Sequence, residues 1–253
     1  TLAPTTQFWD TSEYMSAAKV LGIPHPPGNP LFVVLGHAFA VLPLAETFAK
    51  RMNLFAAVTS ALSSGLLFLI AERFLRDFVP PKMPRILAAL AGTLVGATSF
   101  TVWNQSVVNE KVYTLSLFST ALVLWLAVHW GDDKPGPHRD RWLLLIGYVL
   151  ALTSTNHMMG VLAAPAVAVY VIATDWTYLT RPWVLMLGYV LLLAVSGSWT
   201  AVIDGPADWR MMVIVGFAGV LAYTAWKDPS EFKRPTLYMV IATIAIGISL
   251  NYL

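Results

Sequence analysis

Two carboxylates near the start of the chain, Asp10 and Glu13, stand three residues apart in Trp9-Asp-Thr-Ser-Glu-Tyr14, just ahead of a long hydrophobic polypeptide. If the segment from Asp10 to Leu21 is helical, that spacing puts both acids on one face, a turn apart. A positioned carboxylate can take a proton from a hydroxyl or an amine, which is general-base chemistry. Asp10 and Glu13 are therefore the candidate catalytic pair. The same spacing also suits a helix cap, with Asp10 at the N-cap and Glu13 at the third helical position. The two readings are compatible, since a capping carboxylate is a positioned one. The run Pro24-His-Pro-Pro-Gly28 then stops the helix, because proline lacks a backbone donor and drives the residue before it out of the helical region. His25 is held between prolines by that turn and is a candidate substrate contact.

The elements that must position these residues belong to a membrane. Of 253 residues 57% are hydrophobic and only 12% charged, with mean hydropathy +0.65, outside the range of an ordinary soluble domain. The expected fold class is an all-α polytopic membrane protein. Ten tryptophans and nine tyrosines suit extensive interfacial surface. A net charge of +2 makes no case for nucleic acid, and the absence of cysteine excludes disulfides, thiolate nucleophiles and cysteine-ligated zinc. The polar N-terminus lacks the pattern of a signal peptide, and the apolar run Met239 to Leu253 stops without a polar exit, so a longer polypeptide is expected.

Two domains are expected. Residues 1–52 form a first extracytoplasmic loop with two interfacial helices, the second from Leu31 to Leu44, which is too short to span and is broken at Pro43. Residues 53–253 form a transmembrane bundle of about eight spans: Asn53–Ala71, Ile86–Trp103, Val112–Trp130, Trp142–Thr155, Met158–Thr174, Trp183–Ile203, Met211–Trp226 and Thr236–Leu253. The fourth and fifth are joined only by Asn156-His157.

Basic residues orient the bundle. Alternate connections hold 11 of the 16 Lys and Arg residues: Arg73, Arg76, Lys82, Arg85, Lys134, Arg139, Arg141, Arg181, Lys227, Lys233 and Arg234. These loops are expected in the cytoplasm, with the protein in a bacterial inner membrane. Asp10, Glu13, His25, Arg51, Glu110, Lys111, His157, Asp204, Asp208 and Arg210 then share the other face. An N-terminus outside implies one more span upstream. The loop carrying Asp132 and Asp133 reads as a solvated connection before it reads as a metal site.

Ionisable residues at membrane depth are functional candidates by default. Glu110 and Lys111 open the third span and either pair with each other at the interface or face the cavity of Asp10. His157 sits where two short spans meet and backbone groups are freed, a feature tolerated only inside protein or along a cavity. Its plainer role is a histidine satisfied within the bundle. Asn104-Gln-Ser106 is formally a glycosylation sequon, too close to a span to weigh much. There is no Gly-rich phosphate loop, Gly-x-Ser-x-Gly elbow or His-Glu-x-x-His, so nucleotide hydrolysis, serine esterase and zincin chemistry have no support.

Residues 1–14, Gly22-Ile-Pro-His-Pro-Pro-Gly-Asn-Pro-Leu31, Arg51-Met-Asn-Leu54, Val112-Tyr-Thr-Leu115 and Asn156-His157 together resemble the domain-of-unknown-function family 2723. That family includes an animal protein O-mannosyltransferase and is similar to the GT-C superfamily of polytopic glycosyltransferases. The resemblance implies a GT-C-like bundle and an acidic motif in the first extracytoplasmic loop. It also implies a sugar donor on a polyprenyl phosphate and an acceptor hydroxyl or amine. Carried onto this chain, Asp10 is the general base and Glu13 orients a substrate. The leaving phosphate needs donors or positive charge, and His25, Arg51, Lys111 and His157, with Glu110 beside them, are the expected substrate contacts. Lys50 and Arg210 lie on the same side. Family members place the acid directly before Val-Tyr, whereas here Lys111 intervenes and Glu110 is displaced by about 100° around a helix.

No metal and no cofactor are expected, the lipid-linked sugar being substrate. A second reading makes the chain a repurposed or truncated relative serving as a structural subunit among other membrane subunits. A transporter has less support, because no paired broken helices occur in matching halves.

Overall fold

A computed structural model describes residues 2–181, apart from 8, 27, 109–111 and 136, together with 184 and scattered positions between 215 and 229. Among the described residues all regular structure is helical.

The chain opens with α1 (Thr11–Val20), which ends where Leu21 adopts the left-handed conformation (φ 53°) and Gly22 N–H bonds back to Ala17 O at 2.8 Å. The proline turn follows. Gly28 at φ +89° and Asn29 at φ 44° then reverse the chain, conformations that glycine and asparagine tolerate better than other residues. Pro30 begins α2 (Pro30–Val41), its missing N–H being one the first helical turn leaves unbonded anyway. Helices α1 and α2 thus fall where two helices are expected within residues 1–52.

Helix α3 (Phe48–Phe74) continues through a 3-10 turn at Leu75–Asp77. The combined 30 residues reach about 45 Å, more than the roughly 30 Å hydrocarbon core of a bilayer. Helix α6 (Tyr113–Asp132) has 20 residues and closely matches its expected span. Both are long and apolar enough to cross a membrane.

The second expected span, Ile86–Trp103, is not one straight helix. It divides into α4 (Lys82–Ala97) and α5 (Phe100–Val107), bent by 67°. The hydroxyls of Thr98 and Ser99 donate to the carbonyls of Leu94 and Gly96, each at 2.7 Å, and Ser99 leaves helical geometry (ψ 144°). Side-chain bonds of this kind offer the backbone an alternative to the helical ladder. If the pair is one crossing, the described residues contain up to three.

The expected fourth and fifth spans correspond to α7 (Pro137–Ser154) and to a helical turn at Met158–Leu162 leading into α8 (Ala163–Thr174), with a last turn at Trp176–Thr180. Both are shorter than the ~20 apolar residues of a full crossing. The expected spans Trp183–Ile203, Met211–Trp226 and Thr236–Leu253 fall outside the described residues, apart from scattered positions.

Packing centres on α3 and α6, which lie along each other. Helices α4 and α5 cover another side of α3, while α7 and α8 pack on α6. One apolar core joins α6, α7 and α8 through Val123, Leu126, Trp130, Ile146, Val167 and Tyr178. The other joins α1, α2, α3 and the start of α6 through Tyr14, Phe32, Met52, Phe55 and Leu115. Gly36 allows α2 its close approach to α3, for a Cβ there would lie 2.8 Å from Met52 Cε. Near Trp130, the buried Arg139 guanidinium donates to the Trp130 carbonyl (3.0 Å) and to Asp175 (3.2 Å) and lies 4.1 Å from the centroid of the Trp130 ring. Asp132 and Asp133 are not simply solvated, since Asp132 pairs with Arg73 of α3 and Asp133 accepts from Trp142 Nε1.

Candidate functional site

Asp10 occupies the N-cap of α1, its carbonyl accepting from Tyr14 N–H at 3.0 Å, but its carboxylate makes no cap hydrogen bond. Glu13 does not complete a capping box either. Both of its oxygens are taken by His25: Oε1 accepts the His25 backbone N–H at 2.6 Å, and Oε2 lies 3.0 Å from His25 Nδ1. The proline turn brings this about by folding the chain back over the first turn of α1. Asp10, Glu13 and His25 offer ligand-type atoms that all lie within 4.8 Å of one another. Glu13 and His25 are exposed and Asp10 is half-buried, so the cluster lies at the surface of the fold.

The electrostatics follow from these contacts. The hydrogen bond from the His25 side chain, with that from its backbone N–H, holds the Glu13 carboxyl below its ordinary value. An ionised carboxylate only accepts hydrogen bonds, so Nδ1 must carry the proton in this pair. That leaves His25 Nε2 as the nitrogen presented away from Glu13. Among the described residues these three are also the group that could hold a cation. The fit is partial, because both Glu13 oxygens already have partners.

Beneath the cluster runs a buried polar chain. Tyr14 lies 100° around α1 from Glu13 and faces inward. Its hydroxyl donates to Asn29 Oδ1 at 3.0 Å, and its ring meets those of His25 and Phe32 edge-on, each at 5.5 Å. Asn29 Nδ2 donates to the Asn156 carbonyl, and Asn156 Nδ2 donates to Ser116 Oγ (2.9 Å) and Val112 O (3.3 Å). The first helix, the entry to α2, the start of α6 and the turn after α7 thus meet at one place. Residues 2–7 join the same end of the bundle: Asn53 Nδ2 donates to the carbonyls of Ala3 and Thr5, and Ala3 N–H donates to Val107 O.

The other expected site residues are placed less centrally. His157 adjoins the buried chain; its Nδ1 accepts from Met159 N–H at 3.1 Å and its ring meets Tyr113 edge-on at 5.8 Å. Arg51 serves the α2–α3 connection, donating to the carbonyls of Thr47 and Leu42, and Lys50 pairs with Glu46. Glu110 and Lys111, like Asp204, Asp208 and Arg210, lie outside the described residues. Sequence reasoning missed the roles of Tyr14, Asn29 and Ser116. The one available signal was Asn29-Pro30, an asparagine poised before a helix-starting proline.

These features define a class: a helical bundle with membrane-length helices and an acid–histidine cluster where its N-terminal segment docks. The chain belongs to the family described as protein O-mannosyl-transferase TMEM260 N-terminal domain, whose profile matches residues 10–180. It is 26% identical over 151 residues to the protein O-mannosyl-transferase TMEM260 of Mus musculus, a match covering 58% of this chain and 20% of that relative. The chain thus spans about a fifth of the mouse protein's length. No solved structure matches the chain.

Proposed function

We propose that this chain carries the catalytic end of a membrane glycosyltransferase that moves a sugar, mannose in the first instance, from a polyprenyl phosphate to an acceptor on the extracytoplasmic side. The observation that carries this reading is the convergence of Asp10, Glu13 and His25 at an accessible end of the bundle, inside the stretch matched by the mannosyltransferase family. The acceptor oxygen forms its bond to the anomeric carbon as the bond from that carbon to the phosphate oxygen breaks. The electron pair leaves with the phosphate, and the acceptor proton passes to the Asp10 carboxylate. Glu13 contributes through His25, whose Nδ1 it engages. An interfacial position suits a donor whose reactive head is polar and whose tail is buried in lipid.

The test uses the full-length protein in lipid nanodiscs with polyprenyl-phosphate mannose and a hydroxyl-bearing acceptor peptide. Asp10→Asn preserves shape and removes the base, so transfer should fall by ~10²–10⁴-fold. Undiminished transfer by a folded Asp10→Asn protein overturns the assignment.

A further inference from the structure

We infer that Tyr14, Asn29 and Asn156 form a buried strap that sets the working position of Asp10, Glu13 and His25, which makes Tyr14 and Asn156 positioning residues of the site. The inference rests on the glycosyltransferase reading for its kinetic consequence, but the strap itself is a matter of contacts. Its members are 3%, 0% and 1% exposed, and its hydrogen bonds join residues 15, 127 and 40 positions apart in sequence. Each bond donates in the same sense: the Tyr14 hydroxyl to Asn29 Oδ1, Asn29 Nδ2 to the Asn156 backbone carbonyl, and Asn156 Nδ2 to Ser116 Oγ.

Apolar contacts alone already hold α1 and α2 on the bundle, since Ala18, Phe32, Met52, Phe55 and Leu115 form one buried cluster around them. Such contacts are non-directional and leave a helix some freedom to roll about its axis. The hydrogen bond from the Tyr14 hydroxyl to Asn29 removes that freedom. Glu13 is its chain neighbour, and with side chains reaching ~5–6 Å from the axis, a roll of about 20° carries the Glu13 carboxylate roughly 2 Å. A misplacement of ~1 Å can cost ~10²-fold in rate.

Asn156 Oδ1 supports a geometric purpose. It is buried and has no hydrogen-bond partner among the described residues, although Nδ2 and the backbone carbonyl of the same residue both do. Replacing a buried polar group and its partners by apolar ones of like shape can be neutral or stabilising, so stability alone does not call for an amide here. What the amide supplies is direction, between the turn after α7 and the start of α6, and it thereby fixes the Asn156 backbone carbonyl that Asn29 Nδ2 meets.

The experiment compares full-length wild type, Tyr14→Phe, Asn156→Ala and the double variant in nanodiscs, reading hydrogen exchange and the kinetics of mannosyl transfer. Tyr14→Phe removes one hydroxyl and keeps the ring, so it remains informative if Asn156→Ala fails to fold. In Tyr14→Phe, exchange across residues 11–29 should quicken while α6 and α7 keep wild-type protection; Asn156→Ala should quicken it there and in the first turn of α6, where its amide bonds Val112 and Ser116. In Tyr14→Phe, kcat should fall ~10–100-fold while KM for the donor moves by less than about threefold, the signature of lost alignment rather than lost binding. The double variant should be little worse than either single one, because Tyr14→Phe removes the first bond of the chain and Asn156→Ala frees the turn whose backbone carbonyl anchors Asn29. An unchanged kcat, exchange that rises equally in every helix, or single effects that simply multiply would each overturn the strap. If wild type transfers no sugar yet exchange at 11–29 responds to both variants, the strap is supported and the glycosyltransferase reading falls.

Discussion

Arg139→Ala isolates the lock at the far end of α6 from the chemistry near its start. The Arg139 guanidinium donates to the Trp130 carbonyl at 3.0 Å and to Asp175 at 3.2 Å, 4.1 Å from the centroid of the Trp130 ring, with 5% of its side chain exposed. Hydrogen bonds from a charged donor are worth ~1.5–3 kcal/mol, and a desolvated cation–π contact ~2 kcal/mol. Breaking a buried pair from one side costs ~3–5 kcal/mol, largely because the partner stays behind unpaired. Asp175 moderates that loss: its side chain is 20% exposed and still accepts from the N–H and hydroxyl of Thr177. The expected destabilisation is therefore near the lower bound, ~3 kcal/mol. Arg139→Lys keeps the charge but loses the planar fork and should cost about half as much. The assay is denaturant unfolding in detergent followed by circular dichroism, with the exposed Arg141→Ala as control, for which ~0.5 kcal/mol or less is expected. Because the 20 residues of α6 span about 30 Å, transfer kinetics below the melting range should stay near wild type. An Arg139→Ala protein as stable as Arg141→Ala would refute the reasoning, as would one that loses transfer while keeping its stability.

Three further outcomes follow from the site and the helices. The depressed Glu13 carboxyl makes its contact with His25 stabilising above the ordinary value of 4.5 and lost as pH falls through the lower folded value. Protection against hydrogen exchange at residues 22–29, taken relative to the intrinsic rate at each pH, should accordingly hold steady above pH 4.5 and fall progressively below it, a loss of protection already above pH 4.5 counting against the pair. Because both Glu13 oxygens are engaged by His25, treatment with a chelator should leave transfer unchanged, whereas loss restored by a divalent cation would mean that the three residues exchange this pairing for metal coordination. Residues 1–253 hold no cysteine, so Ser12→Cys and Lys134→Cys each add a single thiol to this stretch; an impermeant thiol reagent should label the first in intact cells and the second only after the membrane is opened, and the reverse pattern would invert the proposed topology.

Much of the helical layout was readable from hydropathy, and Val112–Trp130 anticipated α6 to within two residues at either end. The placement of Asp10 and Glu13 at the start of a short helix was readable too, because it depends on local backbone chemistry, although that helix ends at the left-handed Leu21 ahead of the prolines expected to stop it. The pairing of Glu13 with His25 was not, since it requires the left-handed turn at Leu21 to bring two residues 12 apart into contact. The bend at Thr98-Ser99 escaped because hydropathy averages over a window and does not register two hydroxyls turning back on their own helix. Arg51 reads as a substrate contact by charge and side alone, and the bonds it makes to the Thr47 and Leu42 carbonyls depend on how the α2–α3 connection folds, which charge does not reveal. Asn156 was visible as part of a motif, yet its partners lie 127 and 40 residues away, beyond anything spacing can reveal.

That separation also imposes a timetable on biogenesis. A ribosome working at ~5–20 residues per second needs roughly 6–25 s to make the 127 residues between Asn29 and Asn156. Throughout that interval the asparagine at the mouth of α2 has been synthesised and its mate has not. The leading segment can rest against α3 as soon as that helix emerges, but it cannot click into its final register until α7 has been threaded and the turn behind it has arrived. A ribosome stalled between α6 and α7 would therefore leave a nascent chain whose acids are present and whose alignment is not.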